Sequence, residues 1–238
     1  MTLADILASL FPDGHDVTVR DGLVSGSGPF AEGRIAVVGI DGDTPLGVDG
    51  ALHLSRSVLD AIRAGDRGPI LVAVDSDSQR MSRRDELLGL NECLAHLAKA
   101  LLLADRSGHP TIGLIYGHSA AGAFIATALA TRILAALPGA NPSVMDLPSV
   151  ARVTKLPLDK LEEMAKSTPV FAPGLDNMVA TGAVHVVLDP GKPLDAQIRD
   201  LIAGMEPGDA RDRLGAERGG RPVARDVAGA VIDQARRS

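Results

Sequence analysis

Apolar positions along the 238-residue chain fall into two kinds of run that alternate. Short continuous runs bounded by turn residues, "RIAVVGI" from 34, "PILVAVD" from 69, "TIGLIY" from 111 and "AVHVVLD" from 183, predict buried strands. Two shorter runs, "DVTVR" and "GLVSG", flank Asp21-Gly22 and predict a hairpin. Between strands the period lengthens to that of a helix. Ala51, Ser55, Val58, Leu59 and Ile62 share one face, and Leu87, Leu90, Leu94, Leu97 and Leu101 share another. The runs from 34, 69 and 111 recur at intervals of about 40 residues, which implies an α/β fold of stacked strand-and-helix units. After Gly139 the pattern breaks into short helical pieces separated by Pro142, Pro148 and Pro157. From Gly191 the text is polar and helical, split by Gly219-Gly220 and Pro222. The expectation is one domain over 1–238, with a core of about 17–190 and a peripheral helical extension over 191–238.

The segment "SAAGAFIATALATRILAAL", 119–137, has almost no polar face and predicts a helix in the middle of the protein, entered from "TIGLIY" through a tight turn at Gly117-His118. A helix start leaves four backbone N–H groups without partners, and their dipole favours an oxyanion. Ala120, Ala121, Gly122 and Ala123 would let a carbonyl approach that backbone; close helix packing uses the same small residues equally well. The stretch also resembles a nucleophile elbow with Ala121 in place of the second glycine. Only His185 follows Ser119, inside an apparent strand, so Ser119 is expected to cap a helix and His118 to pack or support rather than act as a general base.

Composition removes several classes of function. A net charge of −6 offers no footprint for nucleic acid. Cys93 is the single cysteine, which excludes an internal disulfide and a cysteine metal site and suits the cytoplasm. "MTLADILASLF" reads as a short helix with a Thr2/Asp5 capping box, and no membrane span is expected. There is no phosphate-binding Walker motif, the six histidines show no metal-ligand spacing, and "GSGPFA" at 26–31 reads as a loop between strands, so no metal or bound cofactor is expected. In "DSDSQRMSRRDELLG", Ser82 and Asp85 form a second capping box. Arg83 and Arg84 sit in a first turn that disfavours cations, which makes them, with Arg80, candidates for a phosphate or an acidic partner.

Taken together, "PILVAVDSDSQ", "NECLAHLAKALLLADRSGHPTIGLIYGHSAAGAFIA" and "ANPSVMDLPSVARVTK" resemble the gamma subunit of malonate decarboxylase, over about Gly33 to Asp189. That family is related to the carboxyltransferase alpha subunit of acetyl-CoA carboxylase, in the crotonase-like superfamily. The resemblance implies a crotonase-like fold of stacked ββα units and an active site shared with a beta subunit. It also implies an acyl carrier protein subunit, an acyl carrier protein transferase subunit, and a malonyl thioester carried on the carrier's CoA-like prosthetic group and decarboxylated to the acetyl thioester. Carried over, the backbone oxyanion donors fall on Ala121, Gly122 and Ala123, with Gly117, His118, Ser119 and Ala120 adjacent. This sequence has "HSAAGA" where the carboxyltransferases have consecutive glycines, and its Arg80–Arg84 loop lacks their Pro-Gly pattern. Carboxyl transfer to biotin is a close variant. A serine hydrolase using Ser119 and a noncatalytic scaffold subunit are the rivals.

Overall fold

The computed structural model describes residues 1–169, 172–221 and 223–237; Pro222, expected to split the C-terminal helices, lies outside them. Helix α1 (Leu3–Leu10) carries the Thr2/Asp5 capping box, both halves of which form. The hairpin follows as β1 (Thr18–Arg20) and β2 (Leu23–Phe30), and its turn residues Asp21 and Gly22 have φ of 52° and 74°, the primed turn that matches strand twist. The chain continues through β3 (Gly33–Ile40), α2 (Val48–Ala64), β4 (Ile70–Ser76), α3 (Arg83–Leu87), α4 (Leu90–Arg106) and β5 (Thr111–Ala120). Beyond these come α5 (Ala121–Ala126), a 3-10 turn at Ala128–Ala130, β6 (Ile133–Ala136), β7 (Asn141–Ser143), α6 (Leu147–Thr154), α7 (Leu158–Ala165), α8 (Leu175–Ala180) and β8 (Val186–Val187). Helices α9 (Leu194–Ala203), α10 (Arg211–Glu217) and α11 (Ala224–Arg237) complete it.

One sheet runs in the order β1-β2-β3-β4-β5-β6-β8, antiparallel over the hairpin and parallel from β3 onward, with β7 pairing to the outer end of β5. Alternate residues of its central strands feed two cores. Val38, Ile40, Ile70, Val72, Val74 and Ile115 pack under α2 and α4. Ile35, Val37, Leu71, Ala73, Ile112 and Leu114 pack against α1 and α9. Burial on both faces is why these strands read as continuous apolar runs. Helix α9 is part of the second core through Leu194 and Ile198, both fully buried, and the Leu194 amide donates to Ser9 Oγ of α1 at 2.9 Å. By contrast α11 has no buried residue.

Several expectations are corrected. The helix expected over 119–137 is a strand end, a six-residue helix, a 3-10 turn and strand β6. An all-apolar run carries no period to separate a buried helix from a buried strand. The break is made by two threonines: Thr127 Oγ1 donates to the Ala123 carbonyl at 2.6 Å, and Thr131 Oγ1 bonds the carbonyls of Ala128 and Ile133 at 2.7 and 2.9 Å. Gly117-His118 is no turn, because β5 continues through both, held by Ser76 on one side and by β7 on the other. The leucine-rich helix is interrupted at Gly89, whose φ of 79° no helix interior adopts. "GSGPFA" belongs largely to β2, where Gly26 and Gly28 pair in register with Val37 and Ile35. In "AVHVVLD" only Val186 and Val187 are in a strand.

Candidate active site

The parallel strands β3, β4 and β5 run side by side in register to Ile40, Val74 and Ile115, and the residues beyond lie at the carboxyl ends, where such sheets place ligands. Asp75, at the end of β4, organises them. Its Oδ1 accepts the His118 amide at 2.9 Å and its Oδ2 accepts the Asp43 amide at 3.3 Å, so one carboxylate fixes two loops. Gly117 is what lets the carboxylate in: a β-carbon there would stand 2.2 Å from Asp75 Oδ1. The turn after β3 is held from below as well. Tyr116 donates to Asp41 Oδ1 at 2.7 Å, Thr44 Oγ1 to the Asp41 carbonyl at 2.7 Å, and Ser76 Oγ to the Thr44 carbonyl at 2.9 Å. Burial, then the Asp41 carboxylate, raises the Tyr116 phenol far above its usual range, so it serves as a neutral donor.

On this frame His118 Nδ1 lies 3.3 Å from Asp43 Oδ1, and Asp77 completes a group whose polar atoms all fall within 4.8 Å of one another. The His118 side chain is 36% exposed, and among the described residues no other group hydrogen-bonds its ring. His118 is therefore held by a carboxylate at the surface and is not packed in a core. The sequence showed no histidine and carboxylate spacing because the three residues come from the turn after β3, the segment after β4 and the far end of β5, 34 and 41 positions apart.

Helix α5 begins directly after β5, three residues beyond His118. Ala120 occupies the N-cap position in extended backbone, and Ala121 follows with φ of 49°, an uncommon conformation for a residue with a side chain. The Gly122 amide donates to Gln79 Oε1 at 2.7 Å. Gln79 is fixed by its backbone neighbours: the Leu46 amide donates to the Ser78 carbonyl and the Arg80 amide to the Leu46 carbonyl, both at 2.8 Å. Thus the helix start does not present an open row of donors, as the sequence suggested; at least one already holds a carbonyl oxygen. A β-carbon on Gly122 would lie 3.0 Å from Gln79 Oε1 and 3.2 Å from Leu94 Cδ1, so any larger residue presses on both side chains.

Ser119 is not the helix cap. It is fully buried in β5, one residue before the cap position, and its Oγ has no hydrogen-bond partner among the described residues. A nucleophile needs a base within hydrogen-bond reach, and none meets this hydroxyl. His185 takes no part: its Nδ1 accepts the Leu134 amide at 3.1 Å, and burial, then the Arg211 charge, depress it to about 4.

The arginine loop is largely accounted for by structure. Asp85 is buried, and its carboxylate accepts Ser82 Oγ at 2.6 Å and the Val48 amide at 3.0 Å, so it serves the starts of α3 and α2 together. These bonds, Ser82 first, hold its carboxyl below the usual range. Arg84 pairs with Asp49 at 2.9 Å, which explains a cation in a first turn, and Arg80 lies against Gly47. Arg83 is exposed and has no ion pair among the described residues. Met81 and Leu87 beside it are 79% and 77% exposed. Asp43, Asp75, Asp77 and Gln79 were missed by sequence reasoning; an aspartate closing an otherwise apolar strand was the one available signal, since a carboxylate there needs donors.

A family model described as malonate decarboxylase gamma subunit matches residues 42–235. The malonyl-S-ACP:biotin-protein carboxyltransferase MADD of Malonomonas rubra is 30% identical over 198 residues, covering 75% of this chain and 68% of that protein. Among solved structures, a Pseudomonas malonate decarboxylase hetero-tetramer in complex with coenzyme A superposes with a TM-score of 0.77 at 23% identity, covering 100% of this chain and 99% of the matched one. The Pseudomonas MdcD-MdcE hetero-dimer follows with 0.72 at 24%, covering 97% and 98%. Transcarboxylase 12S gives 0.70 at 17%, covering 87% of this chain and 43% of the other. The architecture is the crotonase-like one of these carboxyltransferase-type subunits. With a family model spanning most of its length and a curated relative at this identity, the chain belongs to the malonate decarboxylase gamma subunit family.

Proposed function

We propose that the chain, with a beta-type partner, decarboxylates a malonyl thioester carried on an acyl carrier protein, and that the start of α5 holds the oxygen on which charge develops. Loss of carbon dioxide drives the carbon–carbon bonding pair into the thioester carbonyl, leaving an enolate. The observation that carries this reading is the Gly122 amide, which already binds a carbonyl oxygen, that of Gln79, at 2.7 Å. The thioester oxygen replaces it, and the amides of Ala121 and Ala123 flank the position. A donor of this kind is worth roughly 3 kcal/mol to the transition state. No side-chain nucleophile is needed, which agrees with a buried, unpartnered Ser119.

The name of the Malonomonas relative supports malonyl-S-ACP as the substrate class, and it favours a second reading in which the carboxyl group passes to biotin. Hetero-oligomers among the matched structures, and the exposed Met81, Leu87 and Leu88 in the segment after β4, support a partner that packs there. Arg83, exposed and with no ion pair among the described residues, is the cation to meet a phosphate of the carrier's prosthetic arm, with Arg80 and Arg84 in the same segment. The carrier and its transferase complete the assembly. Among the described residues no helix is long and apolar enough to cross a membrane, and the proposed place of action is the cytoplasm.

The test is carbon dioxide release from malonyl thioester on its carrier by the chain purified with its native partner. Gly122→Val is expected to lose 100-fold or more with assembly intact, and Ser119→Ala to stay active. Full turnover by Gly122→Val, or a covalent acyl group on Ser119, overturns the reading. Labelled carboxyl appearing on a biotin-carrying protein instead of as carbon dioxide selects the second one.

A further inference from the structure

Decarboxylation leaves a carbanion equivalent that needs a proton, and nothing described so far supplies it. Four residues before Gly122 stands a histidine with a carboxylate on one ring nitrogen and no hydrogen-bond partner, among the described residues, on the other. Asp43 sits at Nδ1 and Asp77 is in the same group, while Asp75 holds the backbones of both His118 and Asp43. A surface ion pair would need none of this support; the imidazole is held by a carboxylate whose own loop is anchored four times over, through Asp75, Tyr116, Ser76 and Thr44. The segment after β4 links the two, since Asp77 lies in one group with His118, and Gln79, two residues on, accepts the Gly122 amide. His118 and Gly122 are four residues apart, at most about 13 Å of extended chain. An imidazole side chain, the carbonyl and α-carbon of a thioester, and two hydrogen bonds span such a distance.

We propose that His118 is the proton donor of the reaction: positioned through Nδ1 by Asp43, its protonated ring gives the Nε2 proton to the α-carbon of the enolate whose oxygen is held by the Gly122 amide. The inference rests on the function proposed above. The balance is complete. The carbon–carbon bond breaks, carbon dioxide leaves, and the electron pair resides on the enolate. The Nε2–H bond then breaks, its proton makes the methyl group of the acetyl thioester, and the neutral ring, still donating from Nδ1 to Asp43, takes a proton from solvent.

Proton transfer can be read apart from bond cleavage. The assembled complex is given acetyl thioester on its carrier in D2O, and deuterium entering the methyl group is followed by mass spectrometry; separately, labelled carbon dioxide exchanging into malonyl thioester reports the carbon–carbon step. His118→Gln is expected to lose methyl exchange by about 100-fold or more while carbon dioxide exchange persists, and Asp43→Asn to lose methyl exchange by about tenfold. His118→Asn serves if the glutamine variant fails to assemble. Methyl exchange within threefold of wild type overturns the proposal, as does parallel loss of both exchanges in an assembled complex, which marks a structural role. Wild-type activity abolished by EDTA and restored by Mn2+ overturns it too, because the group would then hold a cation. Gly122→Val separates the two readings: if it keeps both exchanges while His118→Gln loses one, the oxyanion assignment fails and the histidine stands.

Discussion

Gln79 gives the sharpest handle on the site. Its Oε1 accepts the Gly122 amide at 2.7 Å, and an incoming carbonyl oxygen has to displace it. A neutral hydrogen bond of this kind contributes about 0.5–1.5 kcal/mol net. Removing it in Gln79→Ala takes away a competitor and is expected to lower KM by about 2- to 13-fold, with kcat little changed. Gln79→Glu puts a carboxylate on the same amide, a bond worth about 1.5–3 kcal/mol, so KM should rise by roughly tenfold relative to wild type. Neither change touches the two backbone bonds to Leu46 that fix this segment, so folding is insulated from the substitution. The assay is steady-state carbon dioxide release from malonyl thioester on its carrier, using the assembled complex, with kcat and KM resolved separately. If glutamate performs like glutamine, or alanine weakens substrate binding, the substrate oxygen does not go where Gln79 now sits.

Three further outcomes follow from the same geometry. Gly117→Ala drives a methyl group to 2.2 Å from Asp75 Oδ1, and should cost about 1–3 kcal/mol by denaturant unfolding and more than tenfold in turnover as the His118 and Asp43 amides are released; a variant with wild-type stability would contradict it. Ser119→Ala removes a buried hydroxyl that bonds nothing, so unfolding free energy should hold or rise by about 1 kcal/mol, and a clear loss would reveal a partner. His185 titrates near 4 in the fold against 6.5 in the unfolded chain, so between these values the unfolded state binds the extra proton. Stability is therefore expected to fall as pH drops from about 6.5 toward 4, and urea unfolding at about pH 7 and about pH 5 should show a smaller difference in His185→Gln than in wild type.

The strands of the sheet were legible because parallel strands buried on both faces leave unbroken apolar runs, and the hairpin because Asp21-Gly22 can take positive φ twice over. Strand β6 was not, since "RILAAL" carries neither a period nor a turn signal before it; only the hydroxyls of Thr127 and Thr131 mark the break. The same mistake moved the helix start, making Ser119 a cap when the helix begins at Ala121. Local text did point to the Gly117–Ala123 stretch. Its neighbours Asp43, Asp75, Asp77 and Gln79 were illegible because they meet it only through the register of three parallel strands, which no spacing along the chain encodes.

The bridge between Leu46 and the Gln79 segment has a consequence for speed. With its main chain tied on both sides, Gln79 can leave the Gly122 amide only by turning its own χ angles. A half-buried side chain changes rotamer on a scale far faster than the microseconds to milliseconds of a closing loop. Access to that amide would then be set by arrival of the carrier arm and never by the wall it enters past, so viscosity should slow turnover through the carrier's diffusion alone.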